Sequence, residues 1–270
     1  MKKISILGAG WVGTPLAIQL KEQGNAVLVS TTQESKIAGL QEKGLQPLVL
    51  SLNPEPTGTG WEQFLACDVL VVTIPPRVQL GEENHIEQIK ALITLMHAQP
   101  KIPDQIIYTS STTVYPDGDK TFTEDEVTLE NNRHRTIFTV EQLLQESFGK
   151  QLTIIRYGGL CGPERNIGKF FSGKTDIKGG HHPVNMLHRD DAVDIVDYMI
   201  SQNIKGEVFN ACSPLHPTRI IFYTNSCKVT NMAAPAFDPN DLSVARAISS
   251  DKLMKWGYTF KYYDPCDFVY

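Results

Sequence analysis

Ile4-Ser5-Ile6-Leu7-Gly8-Ala9-Gly10-Trp11-Val12-Gly13 is the stretch on which the fold turns. A short β-like run, Lys3–Gly8, enters a G-x-G-x-x-G pattern. Helical spacing follows over Trp11–Gln23, with Val12, Leu16, Ala17 and Leu20 on one face and Gly24 as the stop. Each glycine has its own physical task. Gly8 permits a tight turn out of the strand, Gly10 lets a pyrophosphate approach the backbone, and Gly13 lets the helix pack on the strand. The helix start adds N–H groups and the positive end of a dipole. Placed between a strand and a helix, the pattern points to a bound dinucleotide, with Gly8, Gly10, Trp11, Val12 and Gly13 as contacts. A glycine-rich turn without a ligand is the plain alternative.

Working outward, strands and helices alternate. Ala26–Ser30 reads as a second strand, Glu34–Glu42 as a helix closed by Gly44, and Pro47–Leu52 as a third strand. Asp68–Ile74 is continuously apolar apart from its ends, as a parallel strand covered on both faces would be, and Thr73 near its end joins the expected cofactor contacts. His85–His97 reads as a helix, Gln105–Thr109 as a fifth strand, Thr136–Phe148 as a helix and Leu152–Tyr157 as a sixth strand. This succession predicts an α/β fold with a doubly wound parallel sheet of the Rossmann type over 1–157. After Tyr157 the rhythm breaks. Residues 158–270 predict a smaller C-terminal substrate lobe with segments returning to the core. It carries a helix at Asp191–Ser201, a strand at Glu207–Asn210 and a proline-rich, irregular end from Pro214 onward.

The end of the second strand bears on the choice of dinucleotide. An acid there would take the ribose 2′-hydroxyl of NAD. This chain has Ser30-Thr31-Thr32-Gln33 and no acid until Glu34. Thr31, Thr32 and the nearby Lys36 suit a 2′-phosphate better than a carboxylate would, so NADP is expected and NAD is the alternative. Ordinary loop capping by the two threonines stays open.

Composition narrows the classes. The 270 residues carry 25 Lys and Arg against 30 Asp and Glu, a net charge of −5, with no motif for nucleic acid. Five scattered cysteines with no CxxC pair suit a reducing compartment better than a disulfide framework or a structural zinc site. The apolar run Ile4–Leu7 is too short for a signal-peptide core or a membrane span. The expectation is a cytoplasmic protein, monomer or homodimer, with a small-molecule substrate and no nucleic-acid or membrane partner.

Further along, Thr109-Ser110-Ser111-Thr112-Thr113-Val114-Tyr115 is similar to an SSxxVYG strand end, and Arg156-Tyr157-Gly158-Gly159-Leu160-Cys161-Gly162-Pro163 to an R-P-x-x-x-Y-G-P segment. Leu187-His188-Arg189-Asp190-Asp191-Ala192 is similar to an I-H-V-D-D-x segment. With the glycine turn, these four matches in order resemble the atypical branch of the extended short-chain dehydrogenase/reductase superfamily, which is nucleoside-diphosphate-sugar epimerase-like. The resemblance implies an NAD(P)-dependent oxidoreductase, epimerase or dehydratase acting on a nucleotide-sugar or another small carbonyl or carbinol compound. It also implies that Ser111 is the catalytic serine, with a strand-end serine capping the next turn as the alternative. The family's base is a tyrosine in YxxxK, whose lysine lowers the tyrosine pKa. Counting back from Glu141, those positions hold Arg133 and Ile137. The tyrosine mechanism is therefore missing, which opens the alternative of a catalytically silent NADP-binding or redox-sensing protein.

Two residues are candidates for the missing proton donor. Tyr157 stands in place of a proline after the sixth strand, and His134 lies beside the lost tyrosine position. Packing and an exposed helix start are their respective alternatives. Asp190 and Asp191 open a helix, where acids meet its dipole favourably. His181-His182 lacks a third ligand, so no metal is expected. Arg165, Lys169, Lys174 and Lys178 give the lobe positive charge, available to a phosphorylated substrate or simply solvated.

Overall fold

The computed structural model describes residues 1–76, 81–128 and 130–270. Seven strands make the central sheet: β1 (Lys3–Leu7), β2 (Ala26–Thr31), β3 (Gln46–Val49), β4 (Val69–Val72), β5 (Gln105–Ser111), β6 (Leu152–Tyr157) and β7 (Val208–Ala211). Their spatial order is β7-β6-β5-β4-β1-β2-β3, and the ladders from β5 through β3 are parallel. The order reverses between β1 and β4. Open α/β sheets hold their ligands beyond the carboxyl ends of the strands at such a point. The doubly wound α/β architecture is therefore as expected. The helices are α1 (Gly13–Glu22), α2 (Ile37–Glu42), α3 (Trp61–Leu65), α4 (Glu82–His97), α5 (Arg135–Phe148), α6 (Arg189–Ser201), α7 (Arg219–Val229) and α8 (Asp251–Lys255).

The chain forms two compact units, each assembled from three stretches. The first is Met1–Ser110, His134–Ile155 and Val193–Val208, and the second is Ser111–Arg133, Arg156–Ala192 and Phe209–Tyr270. The segments are interleaved, with Val193–Val208 in the first unit and Ser111–Arg133 in the second. The core of the first unit is apolar. Phe64, Leu65, Leu70, Ile89, Leu92 and Ile106 are fully buried in one cluster. The second unit has its own cluster of Cys161, Val184, Met186, Phe222, Tyr223 and Phe268.

Three elements differ from the sequence expectation. The third strand ends at Val49, and Ser51–Leu52 turns away to pair antiparallel with Pro56–Thr57. Pro54 and Pro56 have no N–H to continue a parallel ladder. Glu34–Lys36 is a 3-10 turn before α2 rather than part of one helix. The stretch after Pro214 contains α7, capped by the Thr218 hydroxyl accepting from Ile221 N–H. Its buried Phe222, Tyr223, Ser226 and Cys227 follow helical spacing. No helix among the described residues is long and apolar enough to cross a membrane.

Candidate functional site

The glycine turn is held from two sides. Gly8 takes a φ of +117°, and its N–H donates to Ser30 Oγ at 3.0 Å. Ala9 N–H donates to the Ser30 carbonyl at 2.7 Å. From the other side, Thr73 Oγ1 donates to the Gly8 carbonyl at 2.9 Å. A Cβ on Gly13 would lie 2.0 Å from the Gly8 carbonyl oxygen, so α1 packs on the turn only because Gly13 lacks a side chain. A Cβ on Gly10 would meet nothing within 4 Å. Gly10 is also among the residues lining a cavity of about 300 Å³.

The cavity lies wholly within the first unit. Of the expected contacts, Gly8, Gly10, Thr31, Thr32, Lys36 and Thr73 line it. Trp11, Val12 and Gly13 stand outside the lining, in the turn and the start of α1. Sequence reasoning missed Leu50, Leu52 and Gln88, which form an apolar wall with one amide. No local signal marks them, because they come from the end of β3, a hairpin and α4. Thr31 is buried and its hydroxyl accepts from Gln33 N–H at 3.2 Å, the capping role left open above. Thr32 and Lys36 are exposed. The described lining contains one lysine and no carboxylate.

Gln88 is fixed from behind. Its Nε2 donates to the Leu52 carbonyl at 2.7 Å, and its Oε1 faces His85 Nδ1 at 3.2 Å. His85 Nε2 faces the Tyr108 hydroxyl at 3.1 Å. With the Gln88 oxygen as acceptor, His85 carries its proton on Nδ1 and Tyr108 donates to Nε2. Burial lowers the His85 pKa, against the Gln88 hydrogen bond, and raises that of the Tyr108 hydroxyl, with Glu141 adding to the rise. The chain of bonds is rigid, neutral and buried.

The catalytic candidates have different settings. Ser111 belongs to the second unit and caps a 3-10 turn over Thr112–Val114. Its Oγ accepts from Thr113 N–H at 3.2 Å and lies 3.0 Å from the Thr113 hydroxyl. Tyr157 is buried, and its hydroxyl donates to the Ala192 carbonyl at 2.7 Å. Burial pushes its pKa upward. This geometry corrects the idea of Tyr157 as a proton donor, because the buried hydroxyl's proton is already held by a backbone acceptor. His134 is exposed at the N-cap of α5 and makes no side-chain cap bond. At the positions of the missing pair, Ile137 is buried and apolar, and Arg133 is an exposed arginine paired with Asp117 at 2.7 Å.

The remaining motif segments make hydrogen-bonded contacts within the second unit. Arg156 Nη1 donates to Tyr115 Oη at 2.8 Å and to the Glu124 carbonyl at 2.9 Å. Tyr115 in turn donates to Asn210 Oδ1 at 2.6 Å, which ties the serine-containing segment to β7 within the second unit. Asp191 does more than meet a helix dipole. Its carboxylate accepts from the Tyr258 hydroxyl, Lys261 N–H and Tyr262 N–H at 2.8, 2.8 and 3.0 Å. Among the described residues no group of three or more His, Cys, Asp or Glu is placed to hold a metal ion.

Sheet order and glycine turn define an α/β protein of the Rossmann type. Solved structures carry the same fold. UDP-glucose 4-epimerase from Stenotrophomonas maltophila, solved with NAD and formylated UDP-arabinopyranose, superposes with a TM-score of 0.76 at 15% identity, over 99% of this chain and 96% of that one. The human epimerase family protein SDR39U1 with NADPH gives 0.72 at 14% identity, over 98% and 96%. Vestitone reductase from alfalfa gives 0.73 at 16% identity, over 100% and 97%. No family model matches the chain. Protein YeeZ of Escherichia coli K12 is 32% identical over 275 residues, covering 98% of both chains, and this chain belongs to the YeeZ family.

Proposed function

We propose that the chain is an NADP-dependent oxidoreductase of the epimerase-like class, acting on a small carbonyl or carbinol compound or a nucleotide-linked sugar. When bound, the nicotinamide dinucleotide supplies hydride exchange with the substrate carbon. The observation that carries the reading is the cavity at the glycine turn, bordered by Gly8 and Gly10 and lined by one lysine and no carboxylate. Gly8, Gly10 and the start of α1 hold the pyrophosphate. Thr32 and Lys36 take the 2′-phosphate, and Leu50, Leu52 and Gln88 enclose the adenosine end. Ser111 orients the substrate oxygen. With Thr113 N–H and hydroxyl directed at its Oγ, its own proton is left to donate. His134 is the proton donor of this proposal.

The second reading is a silent NADP-binding or redox-sensing protein. Buried Ile137 at the lysine position favours it, since no cation there lowers the pKa of a neighbouring acid. Titrating NADPH and NADH by calorimetry, then following NADPH oxidation with aldehydes, ketones and nucleoside-diphosphate keto-sugars, tests both. Turnover that falls in Ser111→Ala supports the enzyme. Tight NADPH binding with no turnover supports the silent protein, and absence of NADPH binding defeats both.

A further inference from the structure

Arg133, at the position of the missing tyrosine, is built into the second unit. Its N–H donates to the Val114 carbonyl at 3.0 Å, at the end of the 3-10 turn that Ser111 caps. Its guanidinium Nη1 meets Asp117 Oδ1 at 2.7 Å, and Arg246 Nη1 meets the same oxygen at 2.6 Å. Arg246 arrives from far along the chain, and its backbone is pinned. Asn185 Nδ2 donates to the Arg246 carbonyl at 3.0 Å, Ala247 N–H to the Lys120 carbonyl at 3.1 Å, and Ile248 N–H to Asn185 Oδ1 at 2.8 Å.

Two guanidiniums therefore converge on a single carboxylate oxygen, and the trio keeps one net positive charge. The neighbouring Lys120 is matched separately by Glu126 at 2.6 Å. The Arg246 side chain is only 13% exposed, so it faces a burial cost as well as repulsion from Arg133. Asp117 is 69% exposed and offsets this from the solvent side. Each arginine uses one nitrogen on that oxygen, while a guanidinium offers five N–H donors in a planar fork that matches carboxylate and phosphate. Such a pair, under-neutralised and fixed by its backbone, suits a second anion.

We propose that Arg133 and Arg246 form a binding site for an oxyanion of the substrate, a carboxylate or a phosphate, with Asp117 holding the pair in register. The proposal rests on the reading of Ser111 as the group that orients the substrate oxygen, and it narrows the substrate to an anionic carbonyl or carbinol compound. On this proposal Arg133 serves as an anchor at the position where the resemblance places a tyrosine.

The first test titrates the full chain with inorganic phosphate and, separately, acetate, followed by NMR shifts of arginine side chains. Arg133→Gln removes an exposed charge and should leave thermal stability unchanged. It should weaken anion binding by about tenfold or more, as loss of a charge-assisted hydrogen bond does. Arg246→Lys keeps the charge but loses the fork and should weaken binding less. Asp117→Asn keeps an oxygen acceptor for both guanidiniums while removing the competing charge, and should leave binding equal or tighter. The tighter-binding anion identifies the group. Equal binding in the parent and Arg133→Gln overturns the proposal. So does an Asp117→Asn loss as large as that of Arg133→Gln, because the trio would then be only a scaffold.

The second test uses NADPH oxidation with matched pairs, succinic semialdehyde against butyraldehyde and glyceraldehyde 3-phosphate against glyceraldehyde. Arg133→Gln should raise KM for the charged member of a pair and leave the neutral member unchanged. A KM rise shared by both members overturns the proposal. Arginine-dependent anion binding without turnover of any pair supports the site and counts against the enzyme reading, so the two failures are distinguishable.

Discussion

Thr73 and Gly8 hold one another in place: the threonine hydroxyl donates to the Gly8 carbonyl at 2.9 Å, and a Cβ on Gly8 would come 2.7 Å from that same hydroxyl oxygen. The turn is thus clamped from β4, and its three glycines meet different surroundings. Gly8 is crowded by a side chain, Gly13 by backbone, and Gly10 by nothing.

That contrast gives a paired prediction. Gly13→Ala drives a Cβ to 2.0 Å from a backbone oxygen that cannot move away cheaply. It should cost about 1–3 kcal/mol in urea denaturation, although alanine normally improves a helix. Gly10→Val should leave the denaturation midpoint almost unchanged and abolish NADPH binding. A Gly10→Val protein that binds NADPH like the parent would remove the cavity from consideration.

The cavity lining predicts cofactor choice. Thr32 is exposed, so Thr32→Asp should fold normally while setting a carboxylate against the 2′-phosphate. NADPH affinity should fall by about tenfold or more, while NADH affinity holds or rises. Lys36→Gln should lower NADPH affinity alone. Equal effects on the two dinucleotides in calorimetry would contradict this assignment.

Tyr157→Phe separates packing from chemistry. The hydroxyl donates to the buried Ala192 carbonyl, so its loss should cost about 1–2 kcal/mol of stability. Any substrate turnover should continue at the parent rate at temperatures where the variant is folded. A large fall in kcat with unchanged stability would return Tyr157 to the chemistry.

Acid sensitivity should come from histidines. Burial lowers the pKa of His85, His188 and His216 against their hydrogen bonds. His188 is fixed neutral by Asp190 N–H donating to Nδ1 at 3.2 Å and Nε2 donating to the Val269 carbonyl at 3.0 Å. The unfolded chain takes up these protons first, so stability is full above the ordinary histidine pKa, near 6.5, and falls as pH drops below it. Glu124, raised by its own burial, binds a proton more readily in the folded state and offsets part of that loss. Glu126, lowered to about 2 chiefly by its Lys120 hydrogen bond, adds its loss only at lower pH, below its ordinary value of 4.5. The melting temperature should therefore decline between about pH 7 and pH 5, with a shallower decline in His188→Gln. A flat profile in the parent would disprove the assignment.

Much of the first unit was legible because its signals are local. The glycine turn, the apolar runs and the helical spacing lie within a few residues of one another, and each encodes one element. The unequal positions of Gly8, Gly10 and Gly13 also follow from the pattern. The end of β3 was misplaced because Ser51–Leu52 is apolar enough to continue a strand, while its pairing with Pro56–Thr57 is a tertiary choice. Helix α7 announced itself through Thr218 and its buried spacing, but the surrounding prolines outweighed that signal.

By itself, the sequence determined the alternation of strands and helices, the glycine turn, the absence of an acid over Ser30–Gln33, and the identities of Arg133 and Ile137, since each depends on residue identity at short spacing. Tertiary structure alone decided what long-range neighbours each side chain meets. It set Leu50, Leu52 and Gln88 around one cavity, gave the Tyr157 proton to Ala192, and drew Arg133 and Arg246 onto one oxygen of Asp117. The bonded partners lie 16 to 129 residues apart, and a hydrogen bond or an ion pair depends on distances that only the folded backbone fixes.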